Sequence, residues 1–379
     1  MDSVIAAVVI FFLLIFGVLT FSNTTFSAHE VTVEAWQDMA ERAESQLRTS
    51  LAIADAYTAN LGGDVYLMIE NTGSLSLSEF QAWDVISQYY ANPQPYDYAM
   101  SWFDYGTGEL LNGMWTVTGI YLDAAALHEE AYEPGILNPG EYARLHIRID
   151  PGAGEQTPLF VQVSTLTGIG NSRTFLANAL PQVATNLPVS VNSGEQVTID
   201  AGLLQITDAD DSADALSFSV TTLPTQGTLS LDPTWTQTDI NDGSLRYTHS
   251  GSGDDSFEVS VTDGKDTITG LIVSIAVNEW PAVDTNTGVT LNSGETAVID
   301  WPRLHASDAD HPAEQLRYQI TQAPIQGTLS LGSTFTQSDI DGGLLSYTHT
   351  GVGSDAFSFT ISDGSASIGP FTFTITVNG

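Results

Sequence analysis

The last two hundred residues of the chain repeat themselves without a gap. Residues 189–279 recur at 289–379 at a constant offset of 100. Residues 226–231 and 326–331 both read Gln-Gly-Thr-Leu-Ser-Leu. Short apolar runs at roughly ten-residue spacing, separated by Gly and Asp turns, are typical of β-sandwiches. The sequence therefore predicts two tandem β-domains here, at 185–280 and 285–379, with Pro281 at their junction.

A third β-domain is predicted upstream, over residues 61–180. From Asp64 onward the apolar residues alternate with a period of two, which favours strands. The predicted strands are 65–69, 80–86, 100–105, 115–120, 143–149 and 159–165. A short linker at 181–188 joins this domain to the repeats.

The N-terminal segment has a different pattern. From Ser3 to Ala28 it carries no charge, and Ile, Val, Leu and Phe dominate its first 21 residues. Beyond it, apolar residues recur at spacings of three and four, which indicates one face of an amphipathic helix. The two parts predict one helical domain over 1–60, ending near residue 59 and about 85–90 Å long. The predicted fold class is α+β: this helix, followed by three tandem β-sandwich-like domains.

The flanks of the apolar segment decide where it can be buried. A secretory signal has basic residues before its apolar core, and a membrane anchor usually has them on its cytoplasmic side. Here Arg42 is the first basic residue. Side-by-side packing of identical helices would bury the apolar surface instead. The predicted polymerisation core consists of Val4, Ile5, Val8, Ile10, Phe12, Leu14, Ile15, Leu19, Trp36 and Met39.

Charge and composition exclude several classes of partner. The formal net charge is -37, with 9 basic residues and Lys265 as the only lysine. Nucleic acid and anionic membrane surfaces are excluded, because both need a basic surface. Cysteine is absent, which removes disulfides, thiolate metal sites and cysteine nucleophiles.

Acidic residues near the start of each repeat are the candidate metal ligands. Asp208, Asp210 and Asp211, with Asp308 and Asp310 in the second copy, offer the hard oxygen ligands that calcium prefers. The alternative is structural, because Asp also shapes turns. Apart from calcium, no cofactor is expected.

No constellation in the sequence predicts catalysis. Glu129 and Glu130 stand beside His128, but no second histidine or helix-borne partner accompanies them. A phosphate-binding glycine loop, a nucleophile elbow and an HExxH motif are all missing. The protein is therefore predicted not to be an enzyme.

The first half of the chain resembles archaellins and type IV pilins. Residues 65–73 followed by Phe80 are similar to an archaellin strand, its Asn-Thr-Gly turn and the next strand, and residues 136–141 to a later turn. Ile5 stands where bacterial pilins have glutamate. The resemblance, over about 1–177, implies a self-assembling filament with a core of apolar helices. It also implies a prepilin-type peptidase, assembly machinery and residence in the membrane before assembly.

The second half resembles cadherin-like repeats of the chondroitin-sulfate-proteoglycan type. The same motifs follow in order in both copies: Asp-Ala-Asp at 208–210 and 308–310, Pro-x-Gln-Gly at 224–227 and 324–327, Thr-Gln-x-Asp-Ile at 236–240 and 336–340, Tyr-Thr-His at 247–249 and 347–349, and Asp-Gly at 263–264 and 363–364. This resemblance implies extracellular adhesion or spacing.

The predicted function is that of a structural subunit of an extracellular, cell-surface helical filament. It would polymerise through its N-terminal helix and carry the β-domains outward for adhesion or sheath formation. The alternative is a membrane-anchored adhesin or an archaellum accessory protein that does not polymerise. A carbohydrate-active enzyme is disfavoured, since no catalytic carboxylate constellation accompanies the modules.

Overall fold

The first helix, α1 (Asp2–Arg48), covers the N-terminal segment. The structure, a computed structural model, describes residues 2–378 and, among them, the side chains of 8–22 and 29–378. The large apolar side chains from Val8 to Phe21 are all exposed, by 39% to 75%. Among the described residues, no helix contains a stretch long and apolar enough to span a membrane.

The prediction that the helix reaches residues 59–60 is wrong. The helix ends at Arg48, and the next residues form a strand, β1 (Leu51–Ala59). This strand pairs antiparallel with β2 (Asp64–Asn71). Leu51 and Ile53 are buried on one face of β1, as a strand that pairs with β2 requires. Leu51 also fits the helical stripe in the sequence, which explains the error.

Eight strands build the first β-domain. Besides β1 and β2 they are β3 (Asp84–Ala91), β4 (Asp97–Tyr105), β5 (Met114–Tyr121), β6 (Tyr142–Arg148), β7 (Pro158–Ser164) and β8 (Gly170–Leu176). Their order in the sheet is β1-β2-β6-β5-β4-β3-β7-β8. The predicted strand at 80–86 is wrong in its first half: Phe80–Ala82 is a 3-10 helix, in which Phe80 packs edge-on against Trp83.

This sheet folds into two four-stranded layers around one core. The β4–β5 junction has only two paired positions, Asp104 with Met114 and Tyr105 with Trp115. At the opposite edges, the Arg173 side chain on β8 donates to the carbonyl oxygens of Ile53 and Ala54 on β1. Alternate residues of β2, β6, β3 and β7 fill the shared core. The arrangement is that of a β-sandwich, as expected from the sequence.

The first repeat contains ten strands and a short helix. They are β9 (Gln182–Asn186), β10 (Val189–Asn192), β11 (Gln196–Thr198), β12 (Leu204–Thr207), β13 (Ser217–Thr222), β14 (Gly227–Leu229), β15 (Thr234–Thr236), α2 (Gln237–Asn241), β16 (Arg246–His249), β17 (Asp255–Thr262) and β18 (Thr267–Asn278). They form sheets of order β10-β18-β17-β13-β15, β11-β16-β14 and β12-β9.

The second repeat has the same architecture. Its elements are β19 (Ala282–Asn286), β20 (Val289–Asn292), β21 (Thr296–Val298), β22 (Leu304–Ser307), β23 (Arg317–Gln322), β24 (Gly327–Leu329), β25 (Thr334–Thr336), α3 (Gln337–Asp341), β26 (Ser346–His349), β27 (Asp355–Ser362) and β28 (Ser367–Asn378). The sheet orders match strand for strand, and each repeat encloses its own apolar core.

The chain divides into two compact units, Met1–Leu180 and Pro181–Gly379. The predicted linker at 181–188 is wrong, because β9 lies within it and pairs with β12 of the first repeat. The first repeat thus begins before residue 185. The second likewise begins before residue 285, since β19 pairs with β22. Proline and polar residues made these edge strands look like connecting segments.

Candidate functional site

The first candidate site is the apolar surface of α1. Eight of the ten predicted core residues have described side chains, and all eight are 39% to 68% exposed: Val8, Ile10, Phe12, Leu14, Ile15, Leu19, Trp36 and Met39. The side chains of Val4 and Ile5 lie outside the described residues. The described apolar surface therefore surrounds the helix over residues 8–21, and Val31, Val33, Trp36 and Met39 are exposed further along it towards the β-domain.

A turn of the β-domain holds the C-terminal end of α1. The Ser74 N–H donates to the Arg48 carbonyl oxygen at 2.8 Å, and the Thr72 N–H donates to the Ser50 carbonyl oxygen at 3.0 Å. Gly73 lies so close that a Cβ there would be 2.5 Å from the Arg48 oxygen. On the other side of the helix, Gln46 Nε2 donates to the Thr167 carbonyl oxygen at 2.9 Å.

The two turns that carry the archaellin resemblance contact each other. Asn71 is fully buried, and its Nδ2 donates to the carbonyl oxygens of Leu75 at 2.7 Å and Leu137 at 2.9 Å. The Gly140 N–H in turn donates to the Asn71 carbonyl oxygen at 2.8 Å. The sequence presented these turns as separate motifs. In the structure they form one support beneath the end of the helix.

The second candidate site is the acidic corner of each repeat. We use this term for the loop after β12 or β22, together with the facing β17–β18 or β27–β28 turn. In the first repeat, Asp208 Oδ1 accepts from the N–H groups of Asp210 and Asp211 at 3.0 and 3.1 Å. These bonds shape the turn, as the structural alternative expects. Carboxylate oxygens of all three residues also lie within 4.8 Å of one another.

Lys265 neutralises part of the first corner. Its Nζ lies 2.7 Å from Asp211 Oδ2. Burial acts to lower the pKa of Lys265, but the Asp211 carboxylate and the charges of Asp210 and Asp263 outweigh burial and raise it. The ammonium therefore stays charged inside this corner.

The second corner has a different composition. Asp308 Oδ1 again accepts from two backbone N–H groups, those of Asp310 and His311, at 3.0 Å each. His311 stands at the position of Asp211, and Ser365 at that of Lys265. Ligand atoms of Asp308, His311 and Asp363 lie within 4.8 Å of one another. Sequence reasoning missed His311 and Asp363 as candidate ligands, because only the fold brings them beside Asp308.

The five predicted calcium ligands thus lie at two separate places. Asp208, Asp210 and Asp211 come together in the first repeat, whereas Asp308 is grouped with His311 and Asp363 in the second. Calcium binding stays a prediction.

The other histidines singled out in the sequence have structural surroundings. His249 and His349 are buried, and the Nδ1 atom of each accepts the N–H of Gly194 or Gly294 at 3.2 and 3.3 Å. His128 is exposed, and its Nδ1 lies 2.8 Å from Asp123 Oδ2. This hydrogen bond is the largest cause of the lowered pKa of Asp123. The expectation that the protein is not an enzyme stays a prediction.

Extracellular proteins are similar to about a third to a half of this chain. The human FRAS1-related extracellular matrix protein 2 is 32% identical over 202 residues, which are 46% of this chain and 6% of that protein. Human chondroitin sulfate proteoglycan 4 is 35% identical over 135 residues, 32% of this chain and 6% of that protein. The chain therefore spans only a small part of the length of these relatives.

Among solved structures, the archaellum periplasmic stator protein FlaG from Sulfolobus acidocaldarius matches 34% of this chain and 99% of its own, at 20% identity and a TM-score of 0.25. A TM-score of 0.25 is too low to show a shared fold, so the archaellin resemblance stays a prediction. The family described as "Cadherin-like" matches residues 181–277 and 281–377. Because these two matches together cover just over half of the chain, the protein belongs to the cadherin-like family.

Proposed function

We propose that this chain is a structural subunit of an extracellular helical filament, archaellum-like or type IV pilus-like, that polymerises through α1. One observation carries the proposal. Every large apolar side chain described between Val8 and Phe21 is exposed, on a helix segment without a single charge. Such a surface needs a partner, because exposed apolar patches of this kind associate or aggregate.

Identical helices are the partner that the chain itself provides. Burying each exposed Val, Leu, Ile or Phe contributes about 1.5–3 kcal/mol relative to exposure, so the segment as a whole gains on the order of tens of kcal/mol before ordering costs. When one face of the helix in one copy contacts a different face of the helix in the next copy, the contact does not close into a pair. It continues as a helical fibre. Trp36 and Met39, which are also exposed, would extend the contact outward from the fibre core.

The β-domains suit the outside of such a fibre. The formal net charge is -37, and the helix segment from Ser3 to Ala28 contributes none of it. Like charges repel less when they lie far apart and are screened by salt. The cadherin-like repeats, whose relatives are named as extracellular matrix proteins, would therefore stand outward for adhesion or sheath formation.

The archaellin resemblance extends the proposal to partners. A prepilin-type peptidase and assembly machinery would act on the chain while its helix still lies in the membrane. Calcium at Asp208, Asp210, Asp211, Asp308 and Asp310 stays an expectation from the sequence, and in the first repeat it would have to compete with the Lys265 ammonium beside Asp211. No catalytic activity is proposed.

Electron microscopy of the purified chain tests polymerisation. The full chain is kept in detergent and the detergent is then removed. We expect long fibres of uniform diameter. In Leu14→Asp, each contact would bury a carboxylate without a partner, at a cost of several kcal/mol per subunit. This variant should give no fibres while retaining the circular dichroism of its β-domains.

A matched control separates position from charge. Leu127 lies in a loop of the first β-domain and is 76% exposed, against 64% for Leu14. Leu127→Asp adds the same charge at a similarly exposed leucine and should assemble normally. Normal fibres from Leu14→Asp would refute the role of α1. Discrete detergent-bound particles from the unmodified chain, under every assembly condition, would favour the membrane-anchored adhesin instead.

A further inference from the structure

The two acidic corners differ at position 266, where Asp266 is replaced by Ala366, and at two positions that face each other. In the first repeat these are Asp211 and Lys265, joined by an ion pair of 2.7 Å. In the second they are His311 and Ser365. The first repeat therefore supplies its own cation to the corner. The second lacks that cation and has an imidazole instead, while all three shared carboxylates, Asp308, Asp310 and Asp363, are present.

Within the described part of the chain, the second corner contains two buried polar atoms without a hydrogen-bond partner. The Asp308 side chain is 0% exposed, and its Oδ2 has no hydrogen-bond partner. The buried Nδ1 atom of His311 likewise has none. A buried polar atom without a partner is costly and usually has an explanation in a water molecule or an ion. Asp208 Oδ2 is also without a partner in the first repeat, but there Lys265 supplies positive charge.

The distances around His311 suit a small metal ion. Its Nδ1 lies 3.4 Å from Asp308 Oδ1 and 3.5 Å from Asp310 Oδ1. Tetrahedral zinc with bonds of about 2.0–2.1 Å places neighbouring ligand atoms about 3.3 Å apart. The third carboxylate, Asp363, is buried, and Asn278 Nδ2 holds its Oδ2 at 3.1 Å. The corner is therefore built from nearly buried groups held in position.

We propose that Asp308, His311 and Asp363 form a binding site for a divalent transition-metal ion of the zinc class. The imidazole decides the class of metal, because nitrogen ligands suit zinc and its neighbours, whereas calcium takes oxygen ligands. Asp310 lies beside the site as a further carboxylate. The ion takes the place that the Lys265 ammonium fills in the first repeat.

The position of the site links it to the junction between the repeats. Asn278 ends β18 of the first repeat, and its side chain bonds to Asp363 of the second. The Glu279 N–H donates to Asp310 Oδ2 at 3.4 Å. A metal ion would fix two carboxylates that these junction residues already contact, so its binding should also stabilise the junction.

Zinc titration calorimetry on the full chain in detergent, after removal of metals with a chelator, tests the site. We expect one zinc ion whose binding depends on His311. His311→Ala should weaken zinc binding by at least about a hundredfold, since even the loss of a group that supports a metal ligand lowers metal affinity roughly 10–100-fold. His128→Ala, which removes an exposed histidine elsewhere, should leave it unchanged. Millimolar calcium should not displace the zinc.

Two variants test the exchange between lysine and metal. Ser365→Lys alters an exposed position and removes no ligand, yet it should abolish zinc binding by placing an ammonium in the corner. The double variant Asp211→His with Lys265→Ser should create a second zinc site in the first repeat. Unchanged zinc affinity in both His311→Ala and Ser365→Lys would overturn the proposal, as would displacement of zinc by millimolar calcium. None of these outcomes depends on polymerisation.

Discussion

Gly73→Ala should loosen the joint between α1 and the first β-domain. An added Cβ would lie 2.5 Å from the Arg48 carbonyl oxygen and 2.7 Å from the Ser50 nitrogen. Both are backbone atoms, so no flexible side chain can give way. The helix end and the turn must therefore move apart, and the bond from the Ser74 N–H to the Arg48 oxygen must weaken.

The magnitude follows from those contacts. Overpacking by one methyl costs about 1–3 kcal/mol, and weakening one backbone hydrogen bond adds about 0.5–1.5 kcal/mol. We therefore expect Gly73→Ala to destabilise the joint between α1 and the first β-domain by about 2–3 kcal/mol. At 1.36 kcal/mol per factor of ten, the amides of Thr72 and Ser74 should exchange with solvent roughly 30–150 times faster.

Hydrogen exchange measures this locally and needs no two-state unfolding of the whole chain. Gly135→Ala is the matched control, because a Cβ there meets nothing within 4 Å. It should change exchange at Thr72 and Ser74 by less than about twofold. If Gly73→Ala behaves like this control, the turn does not hold the helix end.

Three further predictions concern the β-domains. A chain ending at Leu180 should still form fibres, of smaller diameter in the microscope, because α1 and the first β-domain form one compact unit; loss of fibres would make the repeats essential to assembly. Millimolar calcium should leave the melting temperature of the full chain unchanged, because the Lys265 ammonium already lies beside Asp211 in the first corner; a rise that disappears in Asp208→Asn would instead establish calcium binding there. Burial acts to raise the pKa of Asp255, but hydrogen bonds from Thr225, Tyr247 and Gln226 outweigh it and lower the pKa. Its stabilisation is therefore present above the unfolded value of 3.8 and lost as pH falls through the lower folded value. Calorimetry below about pH 4 should show Asp255→Asn losing less stability with acid than the unmodified chain.

The repeats were the most predictable part of the fold. Motif order and alternation indicated two tandem β-domains, and both are present with matching sheet orders. Their first strands, β9 and β19, were missed, because each is an edge strand of five residues with little apolar character. Edge strands of this kind resemble linkers in sequence, since only their pairing with β12 and β22 makes them strands.

The end of α1 could not be read from local pattern. Leu51 satisfies a helical spacing and a strand spacing equally, and its pairing with Asn71 in β2 decides between them. The metal-ligating potential of the second corner was missed for a related reason. His311 and Asp363 lie 52 residues apart in sequence, and only the fold brings the β27–β28 turn against the loop after β22.

The differences between the repeats show which contacts build the fold. Tyr247 and Tyr347 each donate to the aspartate eight residues on, at 2.8 Å in both copies. In contrast, positions 211 and 265 change together to His311 and Ser365. Loss of the lysine alone would leave a corner of uncompensated carboxylates, and like charges at such distances repel. In the second corner, histidine in place of Asp211 and Ala366 in place of Asp266 remove two of those charges, and the imidazole supplies the proposed metal ligand.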